Sequence, residues 1–174
     1  MTQTPEPTIE SDHGALAEDG ASGGRSVHRS EGVEQTEELG ERLAAELGPS
    51  GCLLLIGGLG AGKTALTRGV ARALGVDWAI VQSPTYTLVH EYDGRDGRIV
   101  MHHLDLYRLD EESVWQLGLE ELLEGETFKV VEWADRLDWV PAGACLVRLQ
   151  PAGGEARRII CLETPTAADL VAEE

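Results

Sequence analysis

Several common features are missing from this sequence of 174 residues, and each absence excludes a class of protein. The chain contains no asparagine, so it cannot carry the N-K-x-D segment with which GTP-binding proteins read guanine. No apolar run approaches the roughly 18 residues that a membrane span requires. The N-terminus also lacks the basic start and apolar stretch of a secretory signal. We therefore expect a soluble, cytoplasmic protein without a membrane segment.

Basic residues are scarce as well. The 14 lysines and arginines are outnumbered by 31 aspartates and glutamates, and the formal net charge is -17. Such a surface repels phosphate backbones and disfavours direct, non-specific binding of nucleic acid. Three explanations stay open: a small anion that is bound locally, a partner protein with a basic surface, or acidity that serves solubility alone.

Cysteine is rare, with Cys52, Cys145 and Cys161 far apart in apolar stretches. An odd number of widely spaced cysteines indicates neither a disulfide framework nor a metal site. We expect all three to be small core residues in a reducing compartment.

The composition divides the chain into one domain and two tails. Residues 1–30 are rich in Gly, Ser, Thr, Pro and Glu and have almost no large apolar side chains. They cannot bury enough surface to offset the entropy lost on ordering. We predict a disordered N-terminal tail over 1–30, an α/β domain over 31–163 and a C-terminal tail over 164–174.

Hydrophobic periodicity predicts alternating helices and strands in the domain. Leucines at four-residue steps indicate a helix over 36–47, and the apolar run CLLLI at 52–56 indicates a strand that is covered on both faces. This order favours a mostly parallel sheet with helices on both faces and a C-terminal antiparallel hairpin. The other predicted elements are helices over 63–74 and 110–123, strands in AIVQSP (79–84), RIVMHHLD (98–105) and TFKVVEW (127–133), and the hairpin strands CLVRLQ (145–150) and ARRIICLE (156–163).

The turn between CLLLI and the following helix carries the most specific motif. Gly57, Gly62, Lys63 and Thr64 satisfy G-x-x-x-x-G-K-[ST], in which a glycine-rich loop and a helix N-terminus surround phosphate oxygens. In this motif the lysine reaches the outer phosphates and the hydroxyl ligates Mg²⁺. The buried strand before it and the helix after it predict a P-loop NTPase fold. The expected nucleotide contacts from the loop are Gly57, Gly60, Ala61, Gly62, Lys63, Thr64 and Ala65.

Two carboxylates stand at the ends of apolar strands, Asp105 after IVMHHL and Glu132 after FKVV. In a parallel sheet both emerge at the same carboxyl edge as the glycine loop. Asp105 is therefore a candidate Walker B acid for Mg²⁺, and Glu132 is a candidate for orienting or deprotonating an attacking water. For each, the alternative is an acid that caps a neighbouring helix or pairs with an arginine.

The segment SPTYT at 83–87 is a third, weaker signal. Pro84 forces Ser83 into an extended conformation, which predicts a sharp exit from the preceding strand with the hydroxyls of Thr85 and Thr87 on it. Loops of this kind sense a third phosphate in switch proteins, and an ordinary turn is the simpler explanation.

Together these segments resemble the bacterial TsaE (YjeE) family, the ATPase needed to make threonylcarbamoyladenosine (t6A) in tRNA. The resemblance runs through TEELGERLA, GGLGAGKT, SPTYTLVHEY, HLDLYRL and VEWADRL in the family's order, over about 36–137 and more loosely over the hairpin. It implies an ATPase that resets a transferase complex of TsaD and TsaB homologues between turnovers. Contact with tRNA is then indirect, which agrees with the acidic surface.

The resemblance also implies roles for individual residues. Lys63 and Thr64 bind the phosphates and Mg²⁺, and Asp105 is the metal acid. Thr85 belongs to a switch-like loop. Glu132 and Trp133 form the element at the reaction edge.

Three positions depart from the family's pattern, which usually has an acid at Gly58, a second threonine at Ala65 and phenylalanine at Tyr86. The missing hydroxyl at Ala65 removes one contact to a phosphate. We expect it to loosen nucleotide binding without abolishing it, because Thr64 remains.

Two other functions fit the same motifs. A small-molecule kinase on this fold closes an arginine-rich lid over the phosphates, whereas the segment after Asp105 is acidic, with Arg108 as the nearest basic side chain. Arg108 either contacts a phosphate or forms a surface ion pair.

The second alternative is a nucleotide-binding switch without significant turnover. It differs from a slow ATPase in the role of Glu132, which activates water in the ATPase and is purely structural in the switch. The ring of Trp133 lies either beside the nucleotide or in the core.

Overall fold

Seven strands form one sheet in the computed structural model, which describes residues 24–171. Five α-helices and two short 3-10 helices, at Trp78–Ile80 and Ala134–Arg136, accompany them. None of the helices within 24–171 has the length and apolar content to cross a bilayer. In chain order the elements are β1 (Arg25–Ser30), α1 (Val33–Leu47), β2 (Cys52–Ile56), α2 (Lys63–Ala73), β3 (Val89–Asp93), β4 (Ile99–Asp105), α3 (Glu111–Gln116), α4 (Glu120–Leu123), β5 (Phe128–Glu132), β6 (Ala144–Pro151), β7 (Arg157–Leu162) and α5 (Ala167–Leu170).

The centre of the sheet is parallel and its edges are antiparallel. The strand order is β1-β7-β6-β2-β5-β4-β3. Strands β6, β2, β5 and β4 run parallel, whereas β7, β1 and β3 are antiparallel to their neighbours. Both Leu55 and Asp105 pair with Glu132, so these three strands end at the same level. The predicted mostly parallel sheet with a C-terminal hairpin is confirmed.

Helices cover both faces of the sheet, as predicted. All five residues of β2 are buried, and successive side chains point to opposite faces. Leu53 and Leu55 belong to the apolar core beneath α1 and α2. Leu54 packs on the other face with Val114 of α3 and Leu123 of α4.

The three cysteines lie in this core as free, buried thiols. Burial raises the pKa of Cys52 and of Cys145 to about 12 and that of Cys161 to about 11. The thiols are therefore protonated at neutral pH and are poor nucleophiles, which agrees with a packing role.

The strand predicted over 79–84 is wrong. Residues 78–80 form a 3-10 helix, and 81–84 continue without regular structure. The Asp77 carboxylate accepts a hydrogen bond from Ala79 N at 3.1 Å and stabilises this turn, while Pro84 has no N–H for a strand ladder. The outer neighbour of β4, opposite β5, is instead the edge strand β3, which was not predicted.

The single helix predicted over 110–123 is divided in two. α3 ends at Gln116 and α4 begins at Glu120. Between them Gly118 adopts φ 60, a left-handed conformation that ends the first helix.

Both tail boundaries also need correction. Residues 25–30, assigned to the N-terminal tail, form β1, which pairs with β7 along its whole length. Residues 167–170, assigned to the C-terminal tail, form α5, and Leu170 is buried in the core. Each segment is too short and too polar to predict by itself, because pairing and packing with distant residues stabilise it. Residues 1–23 and 172–174 lie outside the described part of the chain.

Two glycines bring the backbones of α1 and α2 into contact. An added Cβ at Gly69 would lie 1.8 Å from Glu37 O, and one at Gly40 would lie 2.1 Å from Leu66 O. We expect Gly69→Ala to lower the free energy of unfolding by about 1 to 3 kcal/mol through overpacking. Gly58→Ala is the control, because a Cβ there meets nothing within 4 Å. Denaturant unfolding compares the two, and equal midpoints would refute this tight packing.

Candidate active site

The loop between β2 and α2 has backbone geometry that only glycine adopts readily. Gly60 and Gly62 have φ values of 72 and 107. A Cβ at Gly57 would lie 2.7 Å from Leu149 O of β6, so no side chain fits there. These constraints explain the glycine spacing of the motif. The loop delivers the chain directly into the N-terminus of α2 at Lys63.

A cavity of about 340 Å³ lies at the carboxyl edge of the sheet, beside this loop. It brings together every site residue predicted from the sequence except Gly57, and it adds Leu59, Ser83 and Tyr107. The predicted residues in its lining are Gly60, Ala61, Gly62, Lys63, Thr64, Ala65, Thr85, Asp105, Glu132 and Trp133.

Lys63 is a buried cation at the edge of the cavity. Its Nζ donates to Gly57 O at 2.6 Å and to Gly58 O at 3.0 Å, and lies 4.1 Å from the ring centroid of Trp133. Burial lowers the pKa of Lys63, and the nearby negative charges, led by that of Glu132, oppose this shift. The ammonium is thus held within the loop and lines the cavity, where an anionic ligand would contact it.

Glu132 is buried at the end of β5 and links two other side chains. The Thr64 hydroxyl donates to Glu132 Oε1 at 2.9 Å, and His103 Nε2 lies 3.0 Å from the same oxygen. His103 is fully buried on β4. No role for this histidine was predicted; its signal in the sequence is that His102 and His103 interrupt an otherwise apolar run. The structure shows that it fixes the orientation of the Glu132 carboxylate.

Asp105 occupies the equivalent position at the end of β4 and is also buried. Its Oδ2 accepts hydrogen bonds from Thr85 Oγ1 at 2.6 Å and from the Ser83 hydroxyl, while Oδ1 accepts from Tyr107 N at 2.9 Å. The SPTYT segment forms a turn, in which Thr87 N donates to Pro84 O at 3.0 Å, and it also contacts the cavity through Asp105. None of these partners of Asp105 is an arginine.

Trp133 follows Glu132 in a strained backbone conformation, with φ 58. Its ring is half-buried, lies under Lys63 and contacts Tyr107 at a centroid distance of 4.8 Å. The ring thus forms part of the cavity wall and also packs against the core.

The Arg108 guanidinium is 4.3 Å from the exposed ring of Tyr86, so it makes a cation–π contact there.

The residues present are suitable for magnesium bound together with phosphates. The candidate donors are the Thr64 hydroxyl and the Asp105 carboxylate, which are hard oxygen ligands. Residues 24–171 contain no group of three or more His, Cys, Asp or Glu side chains suited to a metal. Magnesium in phosphate-transfer sites needs only one or two protein carboxylates, because phosphate and water supply the other ligands.

A family model, named relatives and a solved structure are all similar to this chain. The family model described as threonylcarbamoyl adenosine biosynthesis protein TsaE matches residues 30–159. The tRNA threonylcarbamoyladenosine biosynthesis protein TsaE of Bacillus subtilis (strain 168) is 36% identical over 142 residues, which cover 81% of this chain and 87% of that protein. The protein of the same name from Synechocystis sp. (strain PCC 6803) is 43% identical over 114 residues, covering 63% and 71%. A crystal structure of Bacillus subtilis YdiB superposes with a TM-score of 0.64 at 29% identity, covering 84% of this chain and 90% of that one.

Proposed function

The chain belongs to the TsaE family of t6A tRNA biosynthesis, and from this premise we propose that it is a Mg²⁺-dependent ATPase. The observation that supports hydrolysis best is the contact between Thr64, at the start of α2, and Glu132, at the end of β5. This contact places the buried carboxylate of Glu132 beside Thr64, the residue after Lys63. A site built only to hold a nucleotide does not need such a group.

The proposed mechanism assigns one task to each side chain. The glycine loop and Lys63 bind the phosphates of ATP, and the positive charge of Lys63 stabilises the negative charge on the transferred phosphoryl group. Glu132 orients the attacking water and accepts its proton at a carboxylate oxygen. When bound, Mg²⁺ neutralises phosphate charge, and Thr64 and Asp105 are the residues that would hold it.

The contact of the SPTYT segment with Asp105 supports a switch-like role for this loop. Ser83 and Thr85 both donate to Asp105 Oδ2. Any rearrangement of the Asp105 carboxylate on metal binding therefore changes two hydrogen bonds of this loop. We propose that the loop reports the state of the site to the protein surface, where Tyr86 is 86% exposed.

We propose TsaD and TsaB homologues as the partners, with ATP hydrolysis driving or resetting their transferase complex. The net charge of -17 supports a protein partner with a basic surface over direct contact with tRNA. tRNA is then reached only through the complex.

The fluorescence of Trp133 offers a direct test of nucleotide binding. Because the ring lines the cavity and contacts Lys63, we expect Mg·ADP to change its emission. Trp133→Phe should abolish that change, while Trp115→Phe, at an exposed position outside this cavity, should preserve it. A change that survives Trp133→Phe would place the nucleotide elsewhere.

Phosphate release with Mg·ATP tests the function as a whole. We expect slow release by the full chain alone and faster release when purified TsaD and TsaB homologues are added. Transfer of the phosphate to a small metabolite would instead support a kinase. Binding of ATP without release under either condition would support a nucleotide-binding switch.

A further inference from the structure

One arginine outside the motifs contacts the glycine loop directly. Arg157, the first residue of β7, donates from Nε to Ala61 O at 3.0 Å and from Nη2 to Gly60 O at 3.1 Å. Its Nη1 donates to Ala156 O at 2.9 Å, within its own hairpin. The guanidinium thus joins the C-terminal hairpin to a loop that lies 96 and 97 residues earlier in the chain.

The hairpin is well placed to support the loop. In the sheet, Arg157 pairs with Pro151 of β6 on one side and with Ser30 of β1 on the other. β6 also packs directly behind the loop, where Leu149 O approaches Gly57. The backbone that carries the guanidinium is therefore held from both sides, which makes it a rigid support.

The two contacts fix the orientation of successive peptide groups. In a trans peptide the C=O and the following N–H point in opposite directions. Arg157 holds Gly60 O, and the N–H of the same peptide donates to Gly58 O at 3.2 Å. Arg157 also holds Ala61 O, which leaves the N–H of Gly62 on the opposite side of that peptide. Without such contacts a glycine-rich loop samples many conformations.

We propose that Arg157 is a positioning residue that holds the glycine loop in its phosphate-binding conformation. This proposal rests on the proposed nucleotide-binding function. The guanidinium donates to backbone carbonyls, so it acts through the loop and not on the nucleotide. It extends the phosphate site to the C-terminal hairpin, which carries none of the sequence motifs.

The neighbouring arginine provides a matched control. Arg158 is the next residue of β7 and its side chain is exposed. Arg157→Ala and Arg158→Ala remove the same charge one residue apart, so a difference between them in nucleotide binding reports the hydrogen bonds of Arg157 and not its charge. Arg157→Lys keeps the charge but loses the planar fork that binds two carbonyls.

Calorimetric titration of the full chain with Mg·ADP, combined with steady-state phosphate release, tests the proposal. We expect Arg157→Ala to raise both Kd and KM about tenfold and to leave kcat within about twofold, because two charge-assisted hydrogen bonds are lost. Arg158→Ala should stay within about twofold of the parent in both constants. Arg157→Lys should fall between them, and it replaces Arg157→Ala if that variant does not fold.

The outcomes separate this proposal from the proposed function. If the parent protein binds Mg·ADP and Arg157→Ala and Arg158→Ala have equal Kd values, the role of Arg157 is overturned. The proposed nucleotide-binding function is then unaffected. A parent protein that does not bind Mg·ADP would overturn both. A loss of kcat in Arg157→Ala at unchanged Kd would also contradict a role in holding the phosphate-binding loop.

Discussion

Glu132→Gln is expected to keep the affinity for ATP within about twofold and to lower phosphate release at least 100-fold. Glutamine has nearly the same shape, and its amide oxygen can still accept the hydrogen bond from Thr64 that Glu132 Oε1 accepts at 2.9 Å. The amide cannot accept a proton from water at neutral pH. Binding should therefore survive while the chemical step is lost.

Two measurements on the same preparation are needed, a Kd for Mg·ATP and a rate of phosphate release. Glu124→Gln is a suitable control, because it removes the same charge at an exposed position at the end of α4. If Glu132 were only structural, its replacement would change both quantities or neither. A variant that still hydrolyses ATP at the parent rate would exclude Glu132 from the chemistry.

Lys63→Ala is expected to weaken the binding of Mg·ATP by a factor of about 100 or more. The variant loses the cation that reaches the phosphates. The negative charges of Glu132, Asp105 and Asp135 act on Lys63 in the parent protein. Without the lysine, no positive charge at this position compensates them. The negative charge that remains in the cavity then repels the triphosphate.

The second lysine of the chain is the natural comparison. Lys129 is also buried, and its Nζ donates to Ser50 O at 3.1 Å and to Gly125 O at 2.7 Å. We expect Lys129→Ala to lower the free energy of unfolding and to leave the Kd of the folded protein within about twofold. Unchanged ATP affinity in Lys63→Ala would refute the assignment of the loop as a phosphate site.

The core of the fold was predictable because its signals are local. The apolar runs of β2, β4 and β5 and the glycine loop each lie within a short stretch of sequence, and a parallel sheet brings their carboxyl ends to one edge. β1 and β3 were missed because polar edge strands depend on pairing with distant residues. The divided helix at Gly118 was missed because one glycine does not always end a helix.

The site was predictable as a set of residues but not as a network. The positions of Asp105 and Glu132 followed from their place at the carboxyl ends of apolar strands in a parallel sheet. That Thr64 and His103 share one oxygen of Glu132 depends on side-chain packing across neighbouring elements. The contact between Arg157 and the loop joins residues nearly a hundred positions apart, so no local pattern indicates it.

The central claim is that Lys63, Thr64, Asp105 and Glu132 surround one bound magnesium triphosphate. A crystal structure of the full chain with Mg²⁺ and a non-hydrolysable ATP analogue tests it most directly. We expect the outer phosphates at Lys63 Nζ, the metal at Thr64 Oγ1 and near Asp105, and a water between the last phosphate and Glu132. A triphosphate bound away from the glycine loop, or one with Glu132 turned away from the last phosphate, would contradict the claim.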